Sequence, residues 1–138
     1  DDTDHAIADF DQAIRLQPDY ADAYNNRGAT YYHKGDYDRA IADYDQAIRL
    51  QPDYADAYNN RGVAYASKDE TDRAIANFDQ AIQLQPDFAG AYYNRGLAYK
   101  QKEEKEKAIA DFNKVLELSN DPNLRQQAEE QLKALGAR

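Results

Sequence analysis

Apolar and polar residues alternate along this chain with a helical period, in segments that come in pairs. Within each segment the apolar side chains recur three or four positions apart, which is typical of an amphipathic helix. Pro18, Pro52 and Pro86 follow every second segment, and proline ends a helix because it lacks an amide donor and clashes with the preceding turn. Gly35 separates the segments of the first complete pair and suits a left-handed C-cap. The pattern therefore predicts an all-α chain of antiparallel helix pairs.

The helix pairs repeat every 34 residues. This step separates the three prolines, and it also separates the residues Gly28, Gly62 and Gly96 and Ala6, Ala40, Ala74 and Ala108. Glycine inside a helix costs about 1 kcal/mol against alanine, so we expect the repeated glycine to let the helix that bears the alanine approach closely. Three further residues follow the prolines and are predicted N-caps of the next helix: Asp19, Asp53 and Asp87. A single pair cannot bury its apolar face, so the pairs must stack.

A 34-residue period is that of the tetratricopeptide family, and the framework residues resemble this family closely. With Ala21 as position one, the framework positions four, eight, eleven, twenty, twenty-four and twenty-seven hold Tyr24, Gly28, Tyr31, Ala40, Tyr44 and Ala47; Tyr58, Gly62, Tyr65, Ala74, Phe78 and Ala81; and Tyr92, Gly96, Tyr99, Ala108, Phe112 and Val115. The proline of position thirty-two is Pro52 and Pro86, but Asn120 in the third repeat. The resemblance covers residues 4–118 and implies a right-handed superhelical solenoid of antiparallel helix pairs.

The ends of the chain depart from the repeat. We predict one domain over 1–138, in which 1–20 is a leading half repeat, 21–54, 55–88 and 89–121 are full repeats, and 122–138 is a capping helix. Leu124, Ala128 and Leu132 share one face of that last helix, as a cap requires. The helix from Asp4 to Leu16 lacks its pair partner, so it should expose apolar residues that either a second copy of the chain or upstream repeats could cover: Ala6, Phe10 and Ile14.

The resemblance implies a concave groove lined by the first helix of each repeat. The predicted groove residues are Asp22, Asn25, Asn26, Ala29, Tyr32 and His33; Asp56, Asn59, Asn60, Val63, Ala66 and Ser67; and Gly90, Tyr93, Asn94, Leu97, Lys100 and Gln101. Asn26, Asn60 and Asn94 recur at one position, and a carboxamide both donates and accepts, so a ladder of them could hold a peptide backbone. The alternative is that asparagine is tolerated on a solvated face and was copied with the repeat.

Other groove residues also allow two interpretations. Tyr32 and Tyr93 could anchor a partner or lie flat on their own helices. Asp22 and Asp56 could attract a basic segment, or could stabilise a helix start. The carboxylate clamp that some family members use needs lysine or arginine where this chain has Asn25 and Gly90, and its second asparagine where this chain has Ala29, so we do not expect it here.

Arginine occupies the position where the family usually has leucine. These residues are Arg27, Arg61 and Arg95. They could contact a ligand, but a partly buried guanidinium needs a carboxylate partner. We therefore expect each to pair with an aspartate on an adjacent second helix, the candidates being Asp9, Asp43 and Asp111.

Composition narrows the function. The net charge is −9, which disfavours nucleic acid and favours neutral or basic protein segments as partners. There is no cysteine, and the acidic clusters lie at predicted helix starts, so we expect no enzyme, no metal site and no cofactor. No apolar run is long enough to span a membrane. Because the chain lacks methionine and begins with Asp1, we expect a fragment or processed product, and its compartment stays open.

Overall fold

The computed structural model describes residues 1–137, which form helices joined by short turns. In chain order these helices are α1 (Asp2–Leu16), α2 (Ala21–His33), α3 (Tyr37–Leu50), α4 (Ala55–Ser67), α5 (Thr71–Leu84), α6 (Ala89–Gln101), α7 (Lys105–Leu118) and α8 (Pro122–Ala134). The first helix begins earlier than predicted because the Asp1 carboxylate accepts a bond of 2.8 Å from the amide of Asp4 and caps it. The all-α prediction is confirmed.

Helices that follow one another in the chain pack against one another along its whole length. The tightest packing joins α2 with α3, α4 with α5, and α6 with α7, and each of these pairs then packs on the next. The first helices of successive pairs also touch, α2 with α4 and α4 with α6, and no two second helices approach as closely. The layer of α2, α4 and α6 is therefore the inner, concave side of the solenoid.

The core repeats with the chain. Each second helix buries an alanine, an aromatic and a small residue against its neighbours: Ala40, Tyr44 and Ala47; Ala74, Phe78 and Ala81; and Ala108, Phe112 and Val115. The aromatic ring supplies most of the apolar area in each set, and Phe78 is only 1% exposed. The core is thus a series of equivalent layers, and each layer is closed by the next repeat.

The repeated glycine makes room for that aromatic ring. A Cβ atom added to Gly62 would lie 2.6 Å from Cε1 of Phe78, and one added to Gly28 would lie 2.7 Å from Cε1 of Tyr44. The carbonyl oxygen of Ala40 is further from the same point, at 3.1 Å. The expectation that the glycine lets the helix bearing the alanine approach closely is therefore confirmed, and the closest contact comes from the aromatic ring of that same helix.

The turns before the first helices correct the prediction of aspartate N-caps. The first helices begin at Ala21, Ala55 and Ala89, each one residue later than an aspartate N-cap would allow. Pro18 and Asp19 are the central residues of a tight turn in which the amide of Tyr20 donates to the carbonyl of Gln17 at 3.1 Å. Asp19 is therefore used by the turn, and no side chain caps α2. The same correction applies to Asp53 and Asp87.

The other turn of each repeat behaves as predicted at Gly35, which has a φ of +83°. Asp69 and Glu103 take the same left-handed conformation, with φ of 62° and 60°. Aspartate is among the non-glycine residues that adopt this region most often, whereas glutamate is not, and glycine adopts it at the lowest cost.

The two ends of the solenoid differ. At the C-terminal end α8 buries Ala128 and Leu132 against α7, which confirms the predicted apolar face of the cap. At the other end α1 contains no fully buried residue, and Ala6, Phe10 and Ile14 are only partly covered. Within residues 1–137, none of the helices combines the length and apolar character that crossing a bilayer requires.

Candidate functional site

The arginine of each first helix is held by polar side chains of the second helices on both sides. Arg27 donates from Nε and Nη2 to the two carboxylate oxygens of Asp43, at 2.8 and 2.7 Å, and from Nη1 to Asp11 at 2.8 Å. The guanidinium carbon also lies 5.5 Å from the ring centroid of Tyr24, a cation–π distance. Arg27 thereby links three helices, α1, α2 and α3. These bonds, above all those from Asp43, raise the pKa of Arg27 above its ordinary value.

The same arrangement recurs in the later repeats. Arg95 binds Asp111 through two bonds and Asp79 through a third, whereas Arg61 binds Asp45 and the amide oxygen of Asn77. The predicted partners Asp43 and Asp111 are confirmed. Asp9 was the wrong choice because it is exposed on α1, and Asp11 is the residue that meets α2. With their donors committed to the protein itself, the three arginines are structural.

The asparagines of the concave side bond to one another across repeats. Nδ2 of Asn60 donates to Oδ1 of Asn25 at 3.1 Å, and Nδ2 of Asn94 donates to Oδ1 of Asn59 at 3.0 Å. Asn25 is only 7% exposed, so it supports the wall of the groove more than it faces a partner. Asn26 keeps its carboxamide exposed, because in the described chain no first helix precedes α2.

Two clefts open on the concave side, one at each junction between consecutive repeats. The first cleft has a volume of about 160 Å³ and is lined by Ala29, Tyr32, His33, Tyr44, Asn60 and Val63. The second cleft has a volume of about 280 Å³, and its lining includes Val63, Ala66, Phe78, Asn94, Leu97 and Gln101. The structure thus brings together predicted groove residues from α2 and α4 in the first cleft, and from α4 and α6 in the second.

The remaining predicted groove residues lie outside these clefts. Asp22 accepts a bond of 2.6 Å from the hydroxyl of Tyr54, and this bond, after burial, contributes to raising the pKa of that tyrosine. Asp56 is exposed on α4.

Tyr93 packs its ring 5.6 Å from that of Phe112, centroid to centroid, so it belongs largely to the framework. Lys100 donates to Oε1 of Gln131 at 2.7 Å and reaches the cap. Gly90 lies in the first turn of α6.

Sequence reasoning missed a series of ion pairs between repeats. Lys34 binds Asp4, Lys68 binds Asp38, and Lys102 binds Asp72. The bond to Asp38 raises the pKa of Lys68, and the bond to Lys34 lowers the pKa of Asp4. The partners are 30 residues apart in every case, so the 34-residue alignment contained the signal, but no single repeat did.

The acidic side chains do not gather into a metal site. Across residues 1–137 there is no group of three or more potential ligands among histidine, cysteine, aspartate and glutamate. The concave side offers hydrogen bonding by carboxamides and hydroxyls, apolar contact in the two clefts, and the carboxylate of Asp69 in the lining of the second cleft.

Family comparisons agree with this architecture over nearly the whole chain. A family described as TPR repeat matches residues 2–35, 30–69 and 64–103, and a family described as tetratricopeptide repeat matches residues 89–122. No curated protein matches the sequence. The chain belongs to the tetratricopeptide-repeat family, whose members are generally non-catalytic scaffolds for protein interactions.

Solved structures with the same fold include several proteins of this family. MamA is 28% identical with a TM-score of 0.82, over 99% of this chain and 81% of that one. The first TPR domain of Spaghetti (RPAP3), bound to the HSP90 peptide SRMEEVD, is 27% identical with a TM-score of 0.75, over 85% and 94%. The Arabidopsis OM64 TPR domain, at 24% identity and a TM-score of 0.76 over 83% and 94%, shares the fold.

Proposed function

We propose that this chain is a scaffold without catalytic activity that binds an extended or short helical segment of a partner protein along the concave side of α2, α4 and α6. The observation that carries the proposal is the second cleft, an open apolar recess on the inner layer, beside polar groups that can bond a peptide. The Spaghetti domain, which has the same fold, holds a peptide.

The partner segment should be neutral or basic. The HSP90 peptide of the Spaghetti complex contains three acidic residues and a single arginine. In this chain the positions at which a carboxylate clamp needs cations hold Asn25, which is buried and bonded to Asn60, and Gly90, which has no side chain. Together with the exposed Asp56 and a net charge of −9, this composition favours a segment of opposite sign.

The asparagine ladder can take part in binding while its internal bonds persist. Asn60 and Asn94 each use one amide hydrogen on a neighbouring asparagine. A carboxamide has a second hydrogen and an oxygen with two lone pairs, so each side chain can still donate to and accept from a peptide backbone. We propose that Asn60 and Asn94 bind the backbone of the segment, and that Asn26 extends this row.

A paired substitution tests the site. A peptide is first selected from a random phage-displayed library against the wild-type chain, and its affinity is then measured by fluorescence anisotropy. Ala66→Arg places a long charged side chain at the second cleft and should weaken binding at least tenfold, since it removes the anchoring recess and adds a positive charge against a neutral or basic peptide.

Ala76→Arg is the matched control for that measurement. Ala76 is also an exposed alanine within a helix, but it lies on α5 and does not line the cleft. Its substitution should leave the affinity within about twofold of wild type, because it adds the same charge elsewhere. Equal losses in the two variants would argue against the concave site.

Self-assembly through α1 is a second candidate function, favoured by the exposure of that end. Leu16 is 75% exposed and Tyr20 is 40% exposed, the two large apolar side chains that stand out as exposed in residues 1–137. Phe10 is only partly buried, although the equivalent Tyr44, Phe78 and Phe112 are almost completely covered. We propose that two copies cover these faces mutually, with α1 of one copy against α1 of the other.

The molar mass in solution tests whether two copies associate through α1. Light scattering should show the mass rising from about one copy toward two as concentration increases, and added salt should favour the rise because it screens the charge of −9 on each copy. Phe10→Asp should keep the chain monomeric at every concentration. A wild-type mass that stays at one copy up to millimolar concentration would exclude the α1 contact.

A further inference from the structure

We propose that the groove binds one large apolar side chain in the second cleft, and that Tyr32 disfavours such binding in the equivalent first cleft by occupying part of it. The partner would thus be a segment with one anchoring leucine, phenylalanine or similar residue and a lysine or arginine beside it. This inference deepens the proposed function and rests on it, because it names which part of the groove selects the partner and for what chemistry.

The two clefts are the same site built twice. Ala29 and Val63 in the first cleft correspond to Val63 and Leu97 in the second, and Asn60 corresponds to Asn94, each 34 residues further along the chain. The aromatic floor is Tyr44 in the first cleft and Phe78 in the second. Any difference in what they bind therefore comes from the few positions at which the repeats differ.

Tyr32 is the difference that changes the space. Its equivalent in the second cleft is Ala66, and the volume rises from about 160 Å³ with the tyrosine to about 280 Å³ with the alanine. The tyrosine is held in place, because its hydroxyl bonds to Oγ of Ser67 at 2.8 Å and its ring packs 5.1 Å from that of Tyr37, centroid to centroid. The first cleft is thus already filled in part by the protein itself.

The second cleft suits an apolar side chain with a polar neighbour. Val63, Phe78 and Leu97 form its walls, and its volume of about 280 Å³ exceeds the volume of about 160 Å³ that Tyr32 leaves in the first cleft. The one ionisable side chain in its lining is Asp69, which is exposed and has no ion-pair partner within residues 1–137. A cation next to the anchoring side chain would supply that partner, which is why we assign a basic neighbour.

The absence of cysteine allows a direct test that does not need the natural partner. Ser67→Cys places one thiol at the second cleft, and His33→Cys places one at the corresponding position of the first. His33→Cys is made in a chain that also carries Ser67→Ala, so that both variants lack the bond from Ser67 to Tyr32. Each variant is equilibrated with 2-phenylethyl and 2-hydroxyethyl disulfides in a thiol buffer, and the captured fraction is measured by mass spectrometry. Comparing one fragment across variants cancels its intrinsic reactivity.

The expected result depends on the residues at positions 32 and 66, where the two clefts differ. Ser67→Cys should capture the phenylethyl fragment roughly tenfold better, relative to hydroxyethyl, than His33→Cys does, because the larger second cleft can bury more of the ring. Adding Ala66→Tyr should remove this preference, and adding Tyr32→Ala to His33→Cys should create it. Replacing the fragment by one with an ammonium group beside the phenyl should raise capture further at Ser67→Cys, and Asp69→Asn should cancel that gain.

The outcomes separate this inference from the proposed function. If Ser67→Cys shows no preference for the phenylethyl fragment, or keeps it with Ala66→Tyr in place, the single-anchor inference is overturned. A selected peptide whose binding is still abolished by Ala66→Arg would then leave the groove itself standing. Circular dichroism at 222 nm confirms that each variant retains its helices, so that a lost preference is not a lost fold.

Discussion

Phe78→Ala should lower the free energy of unfolding by about 3–5 kcal/mol, the usual cost of removing a buried phenylalanine. The ring is 1% exposed, lies between α4, α5 and α6, and forms one layer of the repeating core with Ala74 and Ala98. Its loss would leave a cavity that the backbone cannot close without moving two repeats. Urea unfolding followed by circular dichroism measures the change.

Phe10→Ala is the matched control, because Phe10 occupies the same position of the repeat on α1, which buries no residue completely. We expect a loss of less than about half that of Phe78→Ala, since less apolar area leaves water at this end. The free energy of unfolding of Phe78→Leu should lie between those of wild type and Phe78→Ala. Equal losses at positions 10 and 78 would contradict the description of α1 as an uncovered end.

Gly62→Ala should destabilise the chain by about 1–3 kcal/mol, the usual cost of overpacking, although alanine is the better helix former by about 1 kcal/mol. The new Cβ would lie 2.6 Å from Cε1 and 2.8 Å from Cδ1 of Phe78, closer than carbon atoms approach without movement. Turning the ring away would cost packing, because it is 1% exposed and lies in the core layer with Ala74 and Ala98. The same unfolding experiment gives the size of the effect.

Two further variants show whether that loss comes from the ring. Gly90→Ala adds the same methyl group in a helix where its nearest neighbour is Cε1 of Phe88 at 3.4 Å, so it should be neutral or stabilising by up to about 1 kcal/mol. In a chain that already carries Phe78→Ala, adding Gly62→Ala should leave the free energy of unfolding unchanged or raise it. A loss of the same size in both backgrounds would show that the clash is not its cause.

The fold was predictable because its signals are periodic and local. The proline, glycine and aromatic positions recur every 34 residues, and stacking is the arrangement in which such helix pairs bury their apolar faces. The role of Gly62 was predicted only in part. The sequence indicates that a neighbouring helix lies close to this glycine, but it does not show whether Ala74 or Phe78 makes the closest contact.

The contacts between repeats were harder to predict. They depend on the rotation of one helix pair relative to the next, which no single repeat encodes. Asp9 and Asp11 are both on α1, and only that rotation decides that Arg27 meets Asp11. For the same reason the sequence identified Asn60 as a groove residue but could not show that it donates to Asn25.

The prediction of aspartate N-caps was wrong for a local reason. Asp19 has the right side chain and stands close to the helix start, but the preceding proline makes it a central residue of the turn from Gln17 to Tyr20. The turn and the cap compete for the same aspartate, and Asp19, Asp53 and Asp87 all take the turn position. In the third repeat, which has no proline at this position, Asp121 does cap α8.

Mapping the bound segment on the concave side is the most direct test of the proposal that this chain is a peptide-binding scaffold. The phage-selected peptide is titrated into the ¹⁵N-labelled chain, and the amide chemical shifts are followed. We expect the largest changes on α4 and α6 around Val63, Ala66 and Leu97, with smaller ones extending to α2. Changes that cluster on α1, or on the exposed faces of α3, α5 and α7, would place the binding surface elsewhere and contradict the concave site.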